Sequence, residues 1–191
     1  ATGTSANQLG LEGERRLSGR GVSYCATCDG PLYKNKIAAV VGGGDSAMEE
    51  AIFISKFAKE VIIVQNLPEL TASKIMRERA KKLPNIKFMF DSAVKDLIGE
   101  KKLEKIKIAN LKTKEEQEIS ADGIFIAIGR TPNTKIFEGQ LKMERGYIIT
   151  QTDGTKTGVS GVYSAGDVSD YYYRQAVVAA GRGAMAAIEA E

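Results

Sequence analysis

Two cysteines three positions apart are the residues of this sequence best suited to redox chemistry. Cys25 and Cys28 are its only cysteines, and Asp29 follows the second one directly. Two thiols at this spacing can close a small disulfide ring, and they share one face if the segment begins a helical turn. A carboxylate shielded from solvent beside them could hold the proton that a leaving thiolate needs, while its plainer role is an N-cap or turn residue. The spacing predicts a redox centre and leaves both roles open for Asp29.

Composition weakens the other interpretations of the cysteine pair. A zinc site needs four ligands, but the sequence has no histidine and no third cysteine, so two carboxylates or a second subunit would have to complete it. Two unconnected buried thiols would suit apolar surroundings better than the Thr27, Asp29 and Gly30 found here. The lack of histidine also removes nucleophiles activated by imidazole and histidine proton shuttles. We therefore expect a redox dithiol and no metal site.

A glycine-rich turn that follows the cysteine pair predicts a nucleotide site beside it. Gly42 would allow a tight bend, Gly44 would let a phosphate approach the backbone, and the small Ala47 would let helix and strand pack closely. The positive end of the helix dipole would then face a pyrophosphate. The context favours a dinucleotide site over a bare turn, because a strand, a helix and a second strand complete a βαβ unit over residues 37–41, 46–58 and 60–64.

The rest of the hydrophobic pattern predicts an α/β chain. An amphipathic helix over residues 73–83 precedes a strand and an antiparallel meander over residues 86–90, 93–98, 103–111 and 117–120. A buried strand at 123–128 stops at 129–133, which we interpret as a domain boundary or hinge. Beyond it the pattern predicts short strands at 146–149 and 162–164 and a helix rich in small residues at 174–190. Residues 1–21 show neither period and are expected to be irregular.

Charge and hydropathy exclude two classes of partner. The net charge is +3, and the 27 basic and 24 acidic residues alternate without forming a block, so nucleic acid is not expected. No apolar stretch approaches the roughly 20 residues that span a bilayer, and the first residues are unlike a signal peptide. The sequence predicts a cytoplasmic protein without membrane contact.

Four motifs in order resemble the low-molecular-weight thioredoxin reductases of bacteria and archaea. They are CATCDG at 25–30, VGGGDSA at 41–47, AIGRTPNT at 127–134, and GVYSAGDV at 161–168 with YRQA at 173–176. The resemblance covers essentially the whole chain. It implies a Rossmann-like nicotinamide-binding domain, built from a parallel sheet and an antiparallel β-meander, joined to the C-terminal portion of a second, FAD-binding domain of the two-dinucleotide-binding flavoprotein type.

The resemblance implies a homodimeric flavoenzyme that passes electrons from NADPH or NADH to FAD, then to the disulfide, and finally to a thioredoxin-like protein disulfide. By position, Cys28 resembles the thiol nearest the flavin, Cys25 the thiol that exchanges with thioredoxin, and Asp29 the proton donor and acceptor. In this family the nicotinamide domain rotates against the FAD domain, and the corresponding hinges would lie near Gly10 to Leu11 and Thr131 to Pro132.

The resemblance also implies which residues hold the cofactors. Asp167 matches the acid that holds the FAD ribityl chain, and Gln175 and Ala176 match positions that contact the flavin ring. The full set of cofactor-binding candidates is Gly42, Gly44, Asp45, Ser46, Ala47, Arg130, Gly166, Asp167, Arg174, Gln175 and Ala176.

The sequence departs from the family at the end of the second strand of the βαβ unit. The family carries a histidine-arginine-arginine block and a further arginine there, which clamp the 2′-phosphate of NADPH. This sequence has Gln65, Asn66, Leu67 and Thr71 instead. We therefore expect only weak discrimination between NADPH and NADH in favour of NADPH, which leaves NADH or another electron donor as an alternative.

A second departure concerns the FAD domain. The family opens with an FAD-binding strand and glycine turn that this sequence lacks, so the resemblance implies a nicotinamide domain over residues 9–132 and remnants of an FAD domain over 1–8 and 133–191. We expect the 191-residue chain alone to bind FAD poorly and to turn over slowly or not at all. The alternative from another functional class is a non-catalytic dinucleotide-binding module.

Overall fold

The structure is a computed structural model that describes residues 1–191. Along the chain, the strands and α-helices are β1 (Thr4–Ala6), α1 (Glu12–Arg16), β2 (Val22–Ser23), α2 (Ala26–Asp29), β3 (Ile37–Val41), α3 (Asp45–Ile54), β4 (Glu60–Val64), α4 (Lys74–Lys81), β5 (Ile86–Met89), β6 (Ser92–Ile98), β7 (Lys105–Asn110), β8 (Glu116–Ser120), β9 (Gly123–Ile126), β10 (Arg130–Pro132), β11 (Met143–Glu144), β12 (Tyr147–Ile148) and α5 (Ala176–Ala190). Short 3₁₀ turns cover Gly30–Tyr33 and Lys135–Phe137. The elements form two compact units, one of residues Asn7–Gly129 and one of Ala1–Ala6 with Arg130–Glu191.

The Asn7–Gly129 unit is built on a five-stranded parallel sheet in the order β2-β9-β3-β4-β5. The strands β3, β4 and β9 are nearly continuous runs of apolar residues, because a parallel sheet is covered on both faces. The antiparallel meander β6-β7-β8 forms a second sheet in the same unit. The predicted parallel βαβ unit and the predicted meander are both confirmed.

Two hydrophobic cores cover the two faces of the parallel sheet. Alternate strand residues point to opposite faces, so Val40 and Phe125 pack with helices α3 and α4, while Ala39 and Ile124 pack with the meander. Ile106 and Ile108 are buried in the meander core and Ile119 is partly buried against it, as their alternation predicts. The sheet is thus held rigidly between a helical layer and a second sheet.

The second unit is made of short elements and one long helix. Strands β1 and β10 pair antiparallel, as do β11 and β12. Helix α5 has no buried residue, although its carboxyl end is anchored where Glu189 accepts hydrogen bonds from the backbone and hydroxyl of Thr155. No helix of the protein combines the length and apolar character that a membrane crossing needs.

Three sequence-based expectations about these elements are wrong. Residues 1–21 are not irregular throughout, because they contain β1 and α1. The expected strand at 162–164 is absent, and that segment makes only an isolated bridge between Tyr163 and Lys156. The helix expected to reach residue 58 ends at Ile54, because the side chain of Asn85 donates to the carbonyl oxygens of Ser55 and Ala58 and caps the helix end.

Candidate functional site

The two cysteines form a disulfide at the start of a short helix. Cys25 is the N-cap of α2, with extended backbone, and its sulfur accepts a hydrogen bond from the backbone N–H of Cys28 at 3.2 Å. Their Cα atoms are 5.3 Å apart. Cys28 is exposed and Cys25 is half-buried. The segment thus begins a helical turn, the condition under which both cysteines share one face, and Cys28 is open to solvent.

Asp29 is hydrogen-bonded to Ser23, the residue that ends the strand before the disulfide. The Ser23 hydroxyl donates to Asp29 Oδ2 at 2.6 Å and accepts the backbone N–H of Cys25 at 3.1 Å. The backbone N–H of Asp29 donates to the carbonyl oxygen of Cys25 at 3.1 Å. Asp29 is the last residue of α2, and its side chain makes no capping bond to the 3₁₀ turn that follows. The carboxylate therefore caps no helix and is connected to the backbone of Cys25 through the Ser23 hydroxyl.

The segment after Asp29 packs the redox helix onto the unit. A side chain at Gly30 would lie 3.2 Å from the Phe53 ring, so glycine allows α2 to approach α3. Tyr33 packs edge-on against Phe125 with ring centroids 5.1 Å apart. Burial, together with the negative charges of Asp29 and Asp122, raises the pKa of Tyr33. Tyr33 is thus an uncharged, buried side chain close to the Asp29 carboxylate.

The glycine turn between β3 and α3 combines a tight bend with open space at the start of the helix. Gly42 has φ +132, and a side chain there would press on Ala127 O and on the Ala47 methyl, 3.2 Å from the latter. Gly44 is the N-cap of α3 and makes no side-chain bond, so the first N–H groups of the helix have no acceptor within it. A side chain at Gly44 would have only Thr71 Oγ1 nearby, at 3.9 Å. The turn leaves backbone donors and open space together.

The loop after β4 folds over this turn. The backbone N–H groups of Thr71 and Ala72 both donate to Gly43 O at 2.9 Å, and that of Ser73 donates to Asp45 Oδ1 at 2.8 Å. Gln65, only 4% exposed, packs its carboxamide against Gly43 and donates to the carbonyl oxygen of Glu69 at 3.2 Å. This loop stands where the sequence departs from the thioredoxin reductase pattern.

The cations near that loop belong to helix α4. Arg77 lies 4.0 Å from Glu69, and Lys74 lies 4.0 Å from Glu78 with a side chain that is 82% exposed. Lys74 therefore belongs to a solvated helix face. Only Arg77 is paired with an acid of the loop itself.

The remaining candidates lie in the other unit, around a cleft of about 440 Å³. Gly166, Asp167, Arg174 and Ala176 line it, together with the small residues Ala165, Ala179 and Gly183 of the unit. Arg174 Nε is buried without a hydrogen-bond partner. Gln175 is the N-cap of α5, and its side chain donates to the carbonyl oxygen of Tyr173. The structure therefore brings these four candidates together.

Asp167 and Arg130 are joined through a third residue. The Arg130 Nε donates to the Thr4 hydroxyl at 2.9 Å, and that hydroxyl donates to Asp167 Oδ2 at 3.3 Å. Thr4 belongs to β1, so its role depends on the pairing of β1 with β10. No group of three acidic or cysteine side chains is arranged to hold a metal ion.

Sequence reasoning missed two residues that shape the redox site, Ser23 and Glu14. The one sequence signal for Ser23 is a small polar residue between Val22 and Tyr24, in a segment for which the sequence predicted no strand. Glu14 is buried and accepts the Tyr24 hydroxyl at 2.9 Å as well as the backbone N–H groups of residues 9, 10 and 11. No local pattern distinguishes such an acid from a solvated one.

A disulfide at the head of a helix, in the same unit as a dinucleotide-type βαβ turn, defines a nucleotide-linked disulfide oxidoreductase. The sequence profile described as pyridine nucleotide-disulphide oxidoreductase matches residues 1–183. The chain belongs to this family.

The most informative relatives are thioredoxin reductases. The thioredoxin reductase of Streptomyces coelicolor is 50% identical over 191 residues, which are 100% of this chain and 59% of that protein. The crystal structure of thioredoxin reductase from Streptococcus pyogenes matches with a TM-score of 0.93 at 38% identity, over 98% of this chain and 62% of that one. A ferredoxin-flavin thioredoxin reductase from Clostridium acetobutylicum matches with a TM-score of 0.52 at 32% identity, over 99% of this chain and 60% of that one.

The chain spans about 60% of the length of these relatives. The resemblance to thioredoxin reductases and the predicted fold class are confirmed: the fold is a mixed α/β fold with a parallel sheet, and it matches thioredoxin reductase structures.

Proposed function

We propose that this chain carries the redox disulfide and the nicotinamide-binding unit of a thioredoxin-disulfide reductase. The single observation that carries the proposal is the Cys25–Cys28 disulfide at the head of α2, in the same unit as the glycine turn of β3 and α3. The Asn7–Gly129 unit would be the nicotinamide domain, and the Ala1–Ala6 and Arg130–Glu191 unit would belong to an FAD domain. The substrate would be the disulfide of a thioredoxin-like protein, and the enzyme would act as a homodimer.

The glycine turn fits the pyrophosphate of a nicotinamide dinucleotide. The residues that would hold it are Gly42, Gly44, Asp45, Ser46 and Ala47. Their fit rests on the uncapped first N–H groups of α3 and on the open space at Gly44, which a side chain would fill.

The cleft of the second unit fits a flavin dinucleotide. Arg174 Nε is an orphaned buried donor at a cleft whose α5 wall consists of alanine and glycine, so a charged or flat ligand would find both a donor and room there. Arg130, Gly166, Asp167, Gln175 and Ala176 complete the set that would hold FAD. The chemistry that a bound flavin supplies is the transfer of two electrons between a nicotinamide and a disulfide.

The chain's own residues would carry out the thiol chemistry. Reduction breaks the Cys25–Cys28 bond and leaves two thiols. Cys25 would attack the disulfide of the protein substrate, and Cys28 would then release that substrate by closing the ring again. Asp29 would take a proton from one thiol and return it to the leaving sulfur.

The loop after β4 supports a weak preference for NADPH over NADH. Gln65 is buried and committed to Glu69, Asn66 and Leu67 carry no charge, and Arg77 faces the carboxylate of Glu69. A 2′-phosphate would therefore meet one cation already opposed by an acid. The Clostridium relative, whose name specifies ferredoxin, supports a second candidate in which the electron donor is not a nicotinamide.

Single-turnover thiol titration tests the function. FAD reduced with one equivalent of dithionite is mixed in excess with the oxidised chain, and free thiols are counted with a thiol reagent until the reaction is complete, since the chain alone should bind FAD poorly and react slowly. We expect two thiols per chain. On addition of a thioredoxin disulfide, two electrons and two protons should pass to it as the Cys25–Cys28 disulfide forms again. Cys28→Ser should show one thiol per chain before and after the reaction and should not reduce thioredoxin, whereas Ser92→Ala, a buried serine bonded to the carbonyl oxygen of Phe90, serves as the matched control.

Two outcomes would replace this function. Tight NADH or NADPH binding without any thiol formation would indicate a non-catalytic dinucleotide-binding module. Thiol formation with reduced ferredoxin but with neither nicotinamide would favour the second donor.

A further inference from the structure

We propose that Ser23 is a positioning residue for proton transfer at the disulfide and that it selects which oxygen of Asp29 exchanges the proton. The inference rests on the proposed acid–base role of Asp29. It starts from the short contact between the Ser23 hydroxyl and Asp29 Oδ2 at 2.6 Å.

The direction of this hydrogen bond follows from geometry. Ser23 Oγ has a single hydrogen, and its two acceptors within reach are Asp29 Oδ2 at 2.6 Å and Cys25 O at 3.5 Å. The hydrogen therefore goes to the carboxylate. A lone pair of the same oxygen accepts the Cys25 N–H at 3.1 Å. One hydroxyl thus connects the backbone of the first cysteine to the acid, and each bond polarises the next.

The sheet holds Ser23 in place. Ser23 ends β2 and lies in register with Phe125 of β9, on the sheet face opposite Val22 and Ile124. It is 5% exposed. Because Ser23 is buried and its backbone is paired with β9, the position of its hydroxyl is fixed. The Asp29 carboxylate that accepts its hydrogen bond is therefore held in one place.

The consequence concerns the other oxygen. Asp29 Oδ2 is occupied by Ser23, whereas Oδ1 makes no hydrogen bond within the chain, and Asp29 is half-exposed. Oδ1 is therefore the oxygen that takes up and returns a proton.

The balanced reaction with a dithiol has two exchange steps. A reductant thiol gives its proton to Oδ1, and its thiolate attacks one sulfur. The Cys25–Cys28 bond breaks, a mixed disulfide forms, and the leaving cysteine sulfur takes the proton from Oδ1. The second thiol of the reductant then attacks the mixed disulfide and frees the other cysteine as a thiol, so that two electrons pass from the reductant to the protein.

A double-mutant cycle in the oxidised 191-residue chain tests the proposal, with dithiothreitol as the reductant so that neither flavin nor nicotinamide is needed. Asp29→Asn should slow disulfide reduction by about 10²-fold, the low end for loss of an acid–base group, and Ser23→Ala by about tenfold. In the Asp29→Asn background, Ser23→Ala should have no further effect. Ser23→Thr should restore the rate, and the matched control Ser92→Ala, a serine that is equally buried and bonded to a carbonyl, should leave it unchanged.

Three results would overturn the proposal. The first is an equal loss of the disulfide reduction rate from Ser23→Ala in the wild-type and Asp29→Asn backgrounds. The second is a wild-type rate in Ser23→Ala. The third is a Ser23→Ala chain that circular dichroism shows to be unfolded, since the hydroxyl would then serve the fold alone. Coupling between Ser23 and Asp29 would be measured in this assay even if the chain failed to reduce thioredoxin. The role of Ser23 and the proposed function are therefore tested independently.

Discussion

The Tyr24 hydroxyl donates to the buried carboxylate of Glu14 at 2.9 Å, and this bond joins the residue before the first cysteine to the segment that enters the unit. The same carboxylate accepts the backbone N–H groups of Leu9, Gly10 and Leu11. One acid thus orders both the entry of the chain and the approach to the disulfide. Burial, followed by the hydrogen bond and the charge of Glu14, raises the pKa of Tyr24 to about 12.

The raised pKa of Tyr24 predicts a loss of stability in alkali. The fold favours the neutral phenol, so the stabilisation is complete below the unfolded pKa of 10.0 and disappears as the pH rises through about 12. For this partly exposed side chain the loss should be about 1–2 kcal/mol after allowance for solvent screening. Urea unfolding across this range, compared between wild type and Tyr24→Phe, measures it. Identical pH profiles for the two proteins would contradict the prediction.

Gly43 and Gly44 should respond differently to alanine. A methyl at Gly43 displaces the carboxamide of Gln65 from its bond to Glu69, which should cost about 1–2 kcal/mol of folding free energy. A methyl at Gly44 meets only Thr71 Oγ1 at 3.9 Å, so stability should hold while dinucleotide affinity falls. Thermal unfolding and calorimetric titration with NADH separate the two effects. Equal stability losses would show that Gln65 moves without cost.

Arginines after β4 should create a preference for NADPH. Asn66→Arg with Leu67→Arg adds charge-assisted donors for a 2′-phosphate, and we expect NADPH affinity to rise about 10- to 100-fold while NADH affinity is unchanged. The double variant Asn66→Gln, Leu67→Met controls for side-chain length. A large preference for NADPH in the wild-type chain would overturn our view of this loop.

Asp170 should govern the turn that leads into α5. Burial opposes its charge, but backbone N–H groups of Arg174, Tyr173 and Tyr172 outweigh it, with Arg182 adding to them, so the pKa of Asp170 is lowered. Its contribution is present above the usual carboxyl pKa and is lost as the pH falls through the depressed value. Asp170→Asn should cost about 2–4 kcal/mol at neutral pH and less in acid. Tyrosine near-ultraviolet dichroism during melting reports it, with Glu138→Gln as an exposed control. A cost that does not fall in acid would refute the assignment.

Elements with long uniform patterns were predictable and those with distant partners were not. The strands at 37–41 and 60–64 were predicted with the bounds observed, because a strand covered on both faces is an unbroken apolar run. Strand β1 was missed because three residues form a strand only when β10, far along the chain, supplies the ladder. Conversely, the sequence predicted a strand at 162–164, but only Tyr163 finds a partner there, in an isolated bridge to Lys156. Without a ladder, the segment forms no strand.

The sequence by itself determined which groups this protein has available for chemistry: two cysteines at helical spacing, an acid after them, and a glycine turn between two apolar strands are local patterns that need no distant partner. The tertiary structure decided how these groups are held. The Asp29 carboxylate bonds to Ser23, which the sheet positions, and does not cap a helix. The openness of the glycine turn depends on where Gln65 and Thr71 pack. Hydrogen bonds and packing of this kind join residues that no local pattern relates.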